Sequence, residues 1–295
     1  MTVLRVTTGS NISGGLAGLE NAAGRLAALQ AKMSSGQQIT KPSDDPSGTV
    51  EALALRGELR RNTQYASNAN DAIAWLSAAD TSYTQVVTQL QSARTLVVQG
   101  LNSGASSTGS TTAIANQIDQ LRSSLINLAN TQYNGRPIFG GTTAGSVAYD
   151  PSGNYVGDSG VVSRTVGAQQ TVQINQTGPQ VFGPAGNDVF SLLSTISNDL
   201  KTNPSALSAD LTSLDAAINT VSGAQATEGA AYQRVQVAQG VQTQAGTALK
   251  TQLSTIQDID LAGMAVQVTT ANTTYQAALQ TTASIRQMSL LDFLH

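Results

Sequence analysis

The chain has 295 residues, of which 40% are hydrophobic and only 4% aromatic, and its 15 basic and 18 acidic side chains give a formal net charge of −3. No basic field exists to hold nucleic acid, and no run of like charge suggests a tail. Cysteine is absent and histidine occurs once, which excludes disulfides and thiol catalysis and all but excludes a zinc site.

The scarcity of rings argues against thick cores around aromatic side chains; Leu, Val, Ile and Ala suit narrow helix–helix seams. Every proline lies between Pro42 and Pro204. Proline in a helix interior costs about 3 kcal/mol, so both ends of the chain read as long helices, with turns at 42–46 and at about 134–188. No segment reaches the roughly 18 consecutive apolar residues of a membrane span. The opening Met1-Thr-Val-Leu-Arg-Val lacks the apolar run of a cleavable leader.

From Ile12 the spacing Ile12, Leu16, Leu19, Ala23, Leu26, Gln30, Met33 alternates steps of four and three, a heptad seam. Ser34-Ser35-Gly36 is a helix stop. Pro42 and Pro46 then break the chain, with Asp45 placed to cap a new helix and Pro46 in its first turn. The next helix runs from about 46 to about 100, roughly 80 Å long, and its later part carries Ile73, Leu76, Asp80, Tyr83, Val87, Leu90, Arg94 and Val97 at heptad steps. Leu101–Ser110 is turn-like in composition, and Ile114, Ile118, Leu121, Leu125 and Leu128 define a third helix. Turn signals at Asn134-Gly135 and Gly140-Gly141, with short runs at Val161-Val162 and Thr171–Ile174, predict a small β region of hairpins over 136–183. Such an insertion is expected to project from the helices. Helix resumes near Asp188; Leu207, Leu211, Leu214, Ile218 and Val221 form another seam, and a further helix is expected to start near Thr227. The last helix carries Leu261, Ala265, Val268, Asn272, Tyr275 and Leu279, and the apolar cluster Leu290, Leu291, Phe293, Leu294 follows.

Sequences that could suggest chemistry have plainer readings. Gly157-Asp158-Ser159-Gly160 matches the surroundings of a protease nucleophile, but a serine nucleophile needs a held base, and the single histidine is His295. Asp150 to Asp158 lacks the spacing and closing glutamate of a calcium loop. Asp44-Asp45 reads as turn and cap before it reads as a catalytic pair. No catalytic, cofactor or metal site is expected.

Met33-Ser34-Ser35-Gly36 to Pro42-Ser43-Asp44-Asp45-Pro46 resembles the signature of the flagellin superfamily, in the form carried by its hook–filament junction branch. Asn134-Gly135-Arg136-Pro137-Ile138-Phe139-Gly140-Gly141 is similar to the same family's second signature, and Ser289–Leu294 to its terminus. The resemblance implies a mainly α protein with a small inserted β domain. Residues 1–40 would be an N-terminal coiled-coil arm pairing with 257–295, residues 41–135 and 184–256 a helical rod, and 136–183 a β domain. It implies a structural, non-enzymatic role in the bacterial flagellum, as a junction ring between the hook-side junction protein and the flagellin filament. The implied partners are other copies of the chain, those two proteins, and an export chaperone over about Tyr275 to Leu294. The chain would leave the cell through the flagellar secretion apparatus without a cleaved signal peptide. The expected assembly interface is Ile12, Leu16, Leu19, Leu26, Met33, Leu261, Ala265, Val268, Tyr275, Leu279, Leu290, Leu291, Phe293 and Leu294. A short flagellin is the nearest alternative; a serine hydrolase through Ser159 and a free coiled-coil module are the others.

Overall fold

The computed structural model describes residues 8–102 and 108–293, with side chains over 13–102 and 109–284. In chain order the elements are α1 (Thr8–Ser35), α2 (Pro46–Asn102), α3 (Thr108–Ala129), β1 (Gln132–Tyr133), β2 (Arg136–Pro137), β3 (Ser163–Gly167), β4 (Gln170–Gln173), α4 (Gly178–Phe182), α5 (Val189–Thr202), α6 (Leu207–Gln257) and α7 (Leu261–Phe293). The mainly α fold with small sheets agrees with the sequence. Two compact units form: residues 1–60 with 246–295, and residues 61–245. The sequence reading divides the chain at 40/41 and 256/257, at the breaks between α1 and α2 and between α6 and α7.

In the larger unit the heptad seams supply the core. Leu76, Tyr83, Leu90 and Val97 of α2 are buried, as are Ile114, Ile118 and Leu125 of α3 and Leu207, Leu214 and Val221 of α6. Asp80 and Arg94, at seam positions by spacing, are exposed. Arg94 instead meets Asp215 across the surface at 2.6 Å. Asn62 Nδ2 donates to both the backbone and the side-chain oxygens of Gln242 at 2.9 and 2.8 Å, joining α2 to α6.

Three expectations need correction. First, the rings are few but gathered: Trp75, Tyr83, Phe139, Tyr149, Phe182 and Phe190 are all buried. Tyr83, Phe139 and Phe182 stack edge-to-face in series, with centroids 5.4 and 5.3 Å apart. Such pairs add about 0.5–1.5 kcal/mol each beyond burial. Second, no new helix starts near Thr227. Val221 and Ala224, both buried, flank Gly223 and hold α6 through it, outweighing the roughly 1 kcal/mol that an interior glycine costs. Third, the β segment does not project. Its strands form two antiparallel pairs, β1–β2 and β3–β4, and Val166, Val172 and Ile174 belong to the same buried cluster as the helices. Arg164 binds Asp71 of α2 at 2.7 Å, and Gln242 of α6 donates to the Val166 carbonyl at 3.0 Å. Short two-stranded ribbons are marginal alone, and this one is stabilised by lying against α2 and α6.

Candidate assembly interface

In the smaller unit α1 packs along α7. The half-buried positions of α1 with described side chains are Gly15, Leu19, Ala22, Ala23, Leu26, Leu29 and Lys32, and those of α7 include Val268, Ala271, Tyr275 and Ala278. Gly and Ala in both stripes let the helix backbones approach closely. Both helices also carry large apolar side chains that this seam leaves exposed. Of the residues expected to mediate assembly, Leu19, Leu26, Val268 and Tyr275 face the seam within the chain. Leu16, Met33, Leu261 and Leu279 remain 40–61% exposed, as does Ala265. Val266 is exposed as well, at 66%; the sequence reading missed it because it falls outside the heptad. The side chains of Ile12, Leu290, Leu291, Phe293 and Leu294 lie outside the described residues.

The base of this helix pair is pinned by backbone. Gly36 ends α1 at φ +69°, a left-handed cap that glycine adopts without Cβ strain. Gln38 N–H donates to the Gln257 carbonyl at 2.8 Å, and Ile259 N–H to the Gly36 carbonyl at 3.2 Å. These two bonds and the Gln37–Asp258 bridge clip the α1–α2 turn to the α6–α7 turn.

The first signature builds the entry to α2. Asp44 Oδ2 accepts from the Thr40 hydroxyl at 2.9 Å and from the Thr40 and Lys41 amides at 3.0 Å. Asp45 Oδ1 accepts from Gly48 N–H and Ser47 Oγ, both at 2.9 Å, so Asp45 caps the helix that Pro46 opens. The Thr40 hydroxyl foremost, and the Gly48 amide foremost, hold the Asp44 and Asp45 carboxyls below their usual range. Asp44 is exposed and Asp45 half-buried, and both are committed to turns. Pro42 and Ser43 are exposed turn residues.

The second signature is a two-residue hairpin. Asn134 at φ +49° and Gly135 at φ +76° connect β1 to β2, with Tyr133 opposite Arg136, the conformation that Asn-Gly favours. Arg136 donates to the Thr142 carbonyl at 3.3 Å. Phe139 is fully buried; its carbonyl accepts from Gly178 N–H at 2.8 Å and from the Tyr155 hydroxyl at 3.1 Å. A Cβ on Gly140 would come within 2.6 Å of Pro137 Cγ, so Pro137 and Gly140 fit together.

Asp158 is the staple of the following loop. It accepts from Thr142 N–H at 2.6 Å, Thr142 Oγ1 at 2.9 Å and Gly160 N–H at 2.8 Å, and the Thr142 amide foremost holds its carboxyl low. Ser159 beside it is exposed. Asp150 closes its own turn through Asn154, at 2.8 and 2.9 Å. No group of three metal-ligating side chains occurs among the described residues. The arrangement can hold loops and present apolar helix surface; no nucleophile–base pair is assembled at Ser159 among the described residues.

One buried acid was not anticipated. Glu228 of α6 is 5% exposed. Burial pushes its carboxyl up to about 8, with the Tyr83 hydroxyl partly offsetting this and Asp80 adding to it. At neutral pH it is a neutral acid in the seam between α6 and α2. The signal was available: Leu207, Leu214, Val221, Glu228 and Val235 fall seven residues apart, so a carboxyl takes a core position of the heptad.

The bacterial flagellin N-terminal helical region matches residues 6–144, and the bacterial flagellin C-terminal helical region matches residues 211–294. The chain is 27% identical to flagellar hook-associated protein 3 of Salmonella typhimurium, over 97% of its own length and 98% of that protein's. It is 28% identical to flagellin of Bacillus subtilis, covering 87% of this chain and 88% of the other. Its fold is similar to the crystal structure of Bacillus cereus FlgL at a TM-score of 0.61 and 22% identity, covering 68% of this chain and 99% of that one. With both conserved helical regions matched and the helical fold shared, the chain belongs to the bacterial flagellin family, among whose members it is similar to hook-associated protein 3 over nearly its whole length.

Proposed function

We propose that this chain is a non-enzymatic subunit of the flagellar hook–filament junction, and that it assembles through its terminal arms, about 1–40 and 257–295. The observation that carries the reading is the set of large apolar side chains outside the seam. Leu16, Met33, Leu261, Val266 and Leu279 stay exposed after α1 and α7 have closed on each other. Large apolar side chains left in solvent on both helices suit an interaction surface, and a hook-associated protein offers the natural use for them: contact with neighbouring copies. The near end-to-end match with hook-associated protein 3 supports a junction ring, in contact with a hook-side junction protein and with flagellin. Residues 41–135 and 184–256 would form the supporting helical layer, carrying the β segment 136–183. An export chaperone over about Tyr275 to Leu294 would shield the arm before assembly, and the flagellar secretion apparatus would deliver the chain with its N-terminus intact.

The similarity to Bacillus flagellin over most of the chain favours a second reading, a short flagellin forming the filament itself. Deleting the gene separates the two. A junction subunit predicts cells with hooks but no attached filaments, flagellin released to the medium, and a purified protein that forms no long filaments. Long filaments grown from the purified chain alone would assign it as a flagellin.

A further inference from the structure

Between α1 and α7 lies a groove of about 260 Å³, lined by Ala22, Arg25, Leu29, Val266, Thr270 and Thr274 among others. Its floor and rim are apolar or uncharged except for Arg25, which has no ion-pair or hydrogen-bond partner among the described residues. A lone guanidinium in a groove lined otherwise by apolar and uncharged polar side chains selects an occupant that carries a negative charge among apolar residues.

We infer that the groove receives the C-terminal segment Met288–Leu294 of a second copy of this chain, with Asp292 set against Arg25. The inference rests on the arm-assembly reading above and adds to it a partner segment and a direction. By sequence the segment Met288-Ser-Leu-Leu-Asp-Phe-Leu places one carboxylate among five apolar residues. The opposite terminus, Met1-Thr-Val-Leu-Arg-Val, is also apolar but carries Arg5, of the same sign as Arg25. The chain's own C-terminal segment cannot reach its own groove. α7 is one helix over Leu261–Phe293, and at 1.5 Å per residue Asp292 lies about 27 Å beyond Thr274 on the same axis. Only another copy can bring the two together. The contact is then heterologous: each copy offers one groove and one tail, so copies add head to tail and either close into a ring or continue as a helix.

The absence of cysteine makes the test direct. Two full-length chains, one with Thr270→Cys and one with Ser289→Cys, are mixed and oxidised, and cross-linked dimers are read on a gel alongside sedimentation of the same mixture. The expected result is a mixed disulfide dimer in large excess over either self-dimer. Arg25→Glu or Asp292→Arg alone should cut its yield about five-fold or more, and the two together, Arg25→Glu in the groove chain and Asp292→Arg in the tail chain, should restore it. Oligomers that sediment normally but give no mixed dimer, or a yield indifferent to both charge reversals, would overturn the groove–tail contact and leave arm assembly standing. No association at all, with helicity intact, would overturn both.

Discussion

Gly141 lies directly beneath the Asp158 carboxylate, at a left-handed φ of +72°, and a Cβ there would run into both the side-chain and the backbone oxygens of Asp158. The second glycine of the Gly-Gly pair is therefore required on two counts, conformation and space. Gly141→Ala is expected to destabilise the 61–245 unit by about 2–4 kcal/mol. In an Asp158→Ala background the side-chain part of the clash should disappear, leaving the contact with the residue 158 carbonyl and the backbone strain. Urea unfolding of the two single variants and the double variant measures the coupling; strict additivity would mean that the close approach does not matter.

Asp45→Ala removes the acceptor for Gly48 N–H and Ser47 Oγ. Loss of such a cap costs about 1 kcal/mol. Faster amide exchange should appear in the first turn of α2, with exchange in α3 and α5 unchanged.

Glu228 gives the fold a dependence on alkaline pH. Its carboxyl titrates at about 8 in the folded chain and near 4.5 when unfolded, so the folded state holds the proton more tightly. That contribution is complete below about pH 4.5 and is lost as pH rises through 8. Between pH 5 and pH 9 the wild type should lose on the order of 3–5 kcal/mol relative to Glu228→Gln, read as a falling Tm that the variant does not share. Parallel Tm curves would show that the carboxyl is ionised at little cost.

The seam of the arm pair and the apolar side chains outside it are separable by mutation. Leu279→Asp, outside the seam, should preserve helicity and thermal unfolding while abolishing association. Leu19→Asp, on the seam that faces α7, should weaken the pairing itself, because a buried unpaired carboxylate costs several kcal/mol. Circular dichroism with sedimentation distinguishes them. Equal loss of helicity in both variants would mean that the two sets are not distinct.

Ser159→Ala should leave motility unchanged and stability within about 0.5 kcal/mol, since the exposed serine faces no base among the described residues. A sharp fall in motility would give that turn a role which its geometry does not.

Much of this was legible before folding, because the signals were local. Gly36, Asp45-Pro46, Asn134-Gly135 and Asp188 each fix a backbone conformation within four residues of themselves, and the ends of α1 and β1 and the starts of α2, β2 and α5 fall where they stand. Seven-residue spacing found the buried sides of α2 and α6. What stayed hidden was non-local. A heptad shows that a helix has an apolar face but not which partner covers it, so Leu16 and Leu19 looked equivalent until α7 was in place. Phe139, Phe182 and Phe190 meet Tyr83 and Tyr149 only through tertiary contact, so a sparse aromatic composition concealed a dense aromatic core. Glu228 was passed over because a polar residue at a heptad position is ordinarily read as a break in the seam.

The clip at residues 36–38 and 257–259 also sets an order of events. Two helices that leave a common fastening behave as a zipper with a stop. Their register is fixed at one end, so thermal opening begins at the end remote from the clip and travels toward it, and reclosure runs the other way. Each turn of opening uncovers a further length of the Leu19–Leu26 and Val268–Tyr275 stripe while the remainder stays aligned. An incoming chain would thus meet a graded edge, shut at its base and progressively available toward its tip, and could exchange strand for strand without either copy losing its place.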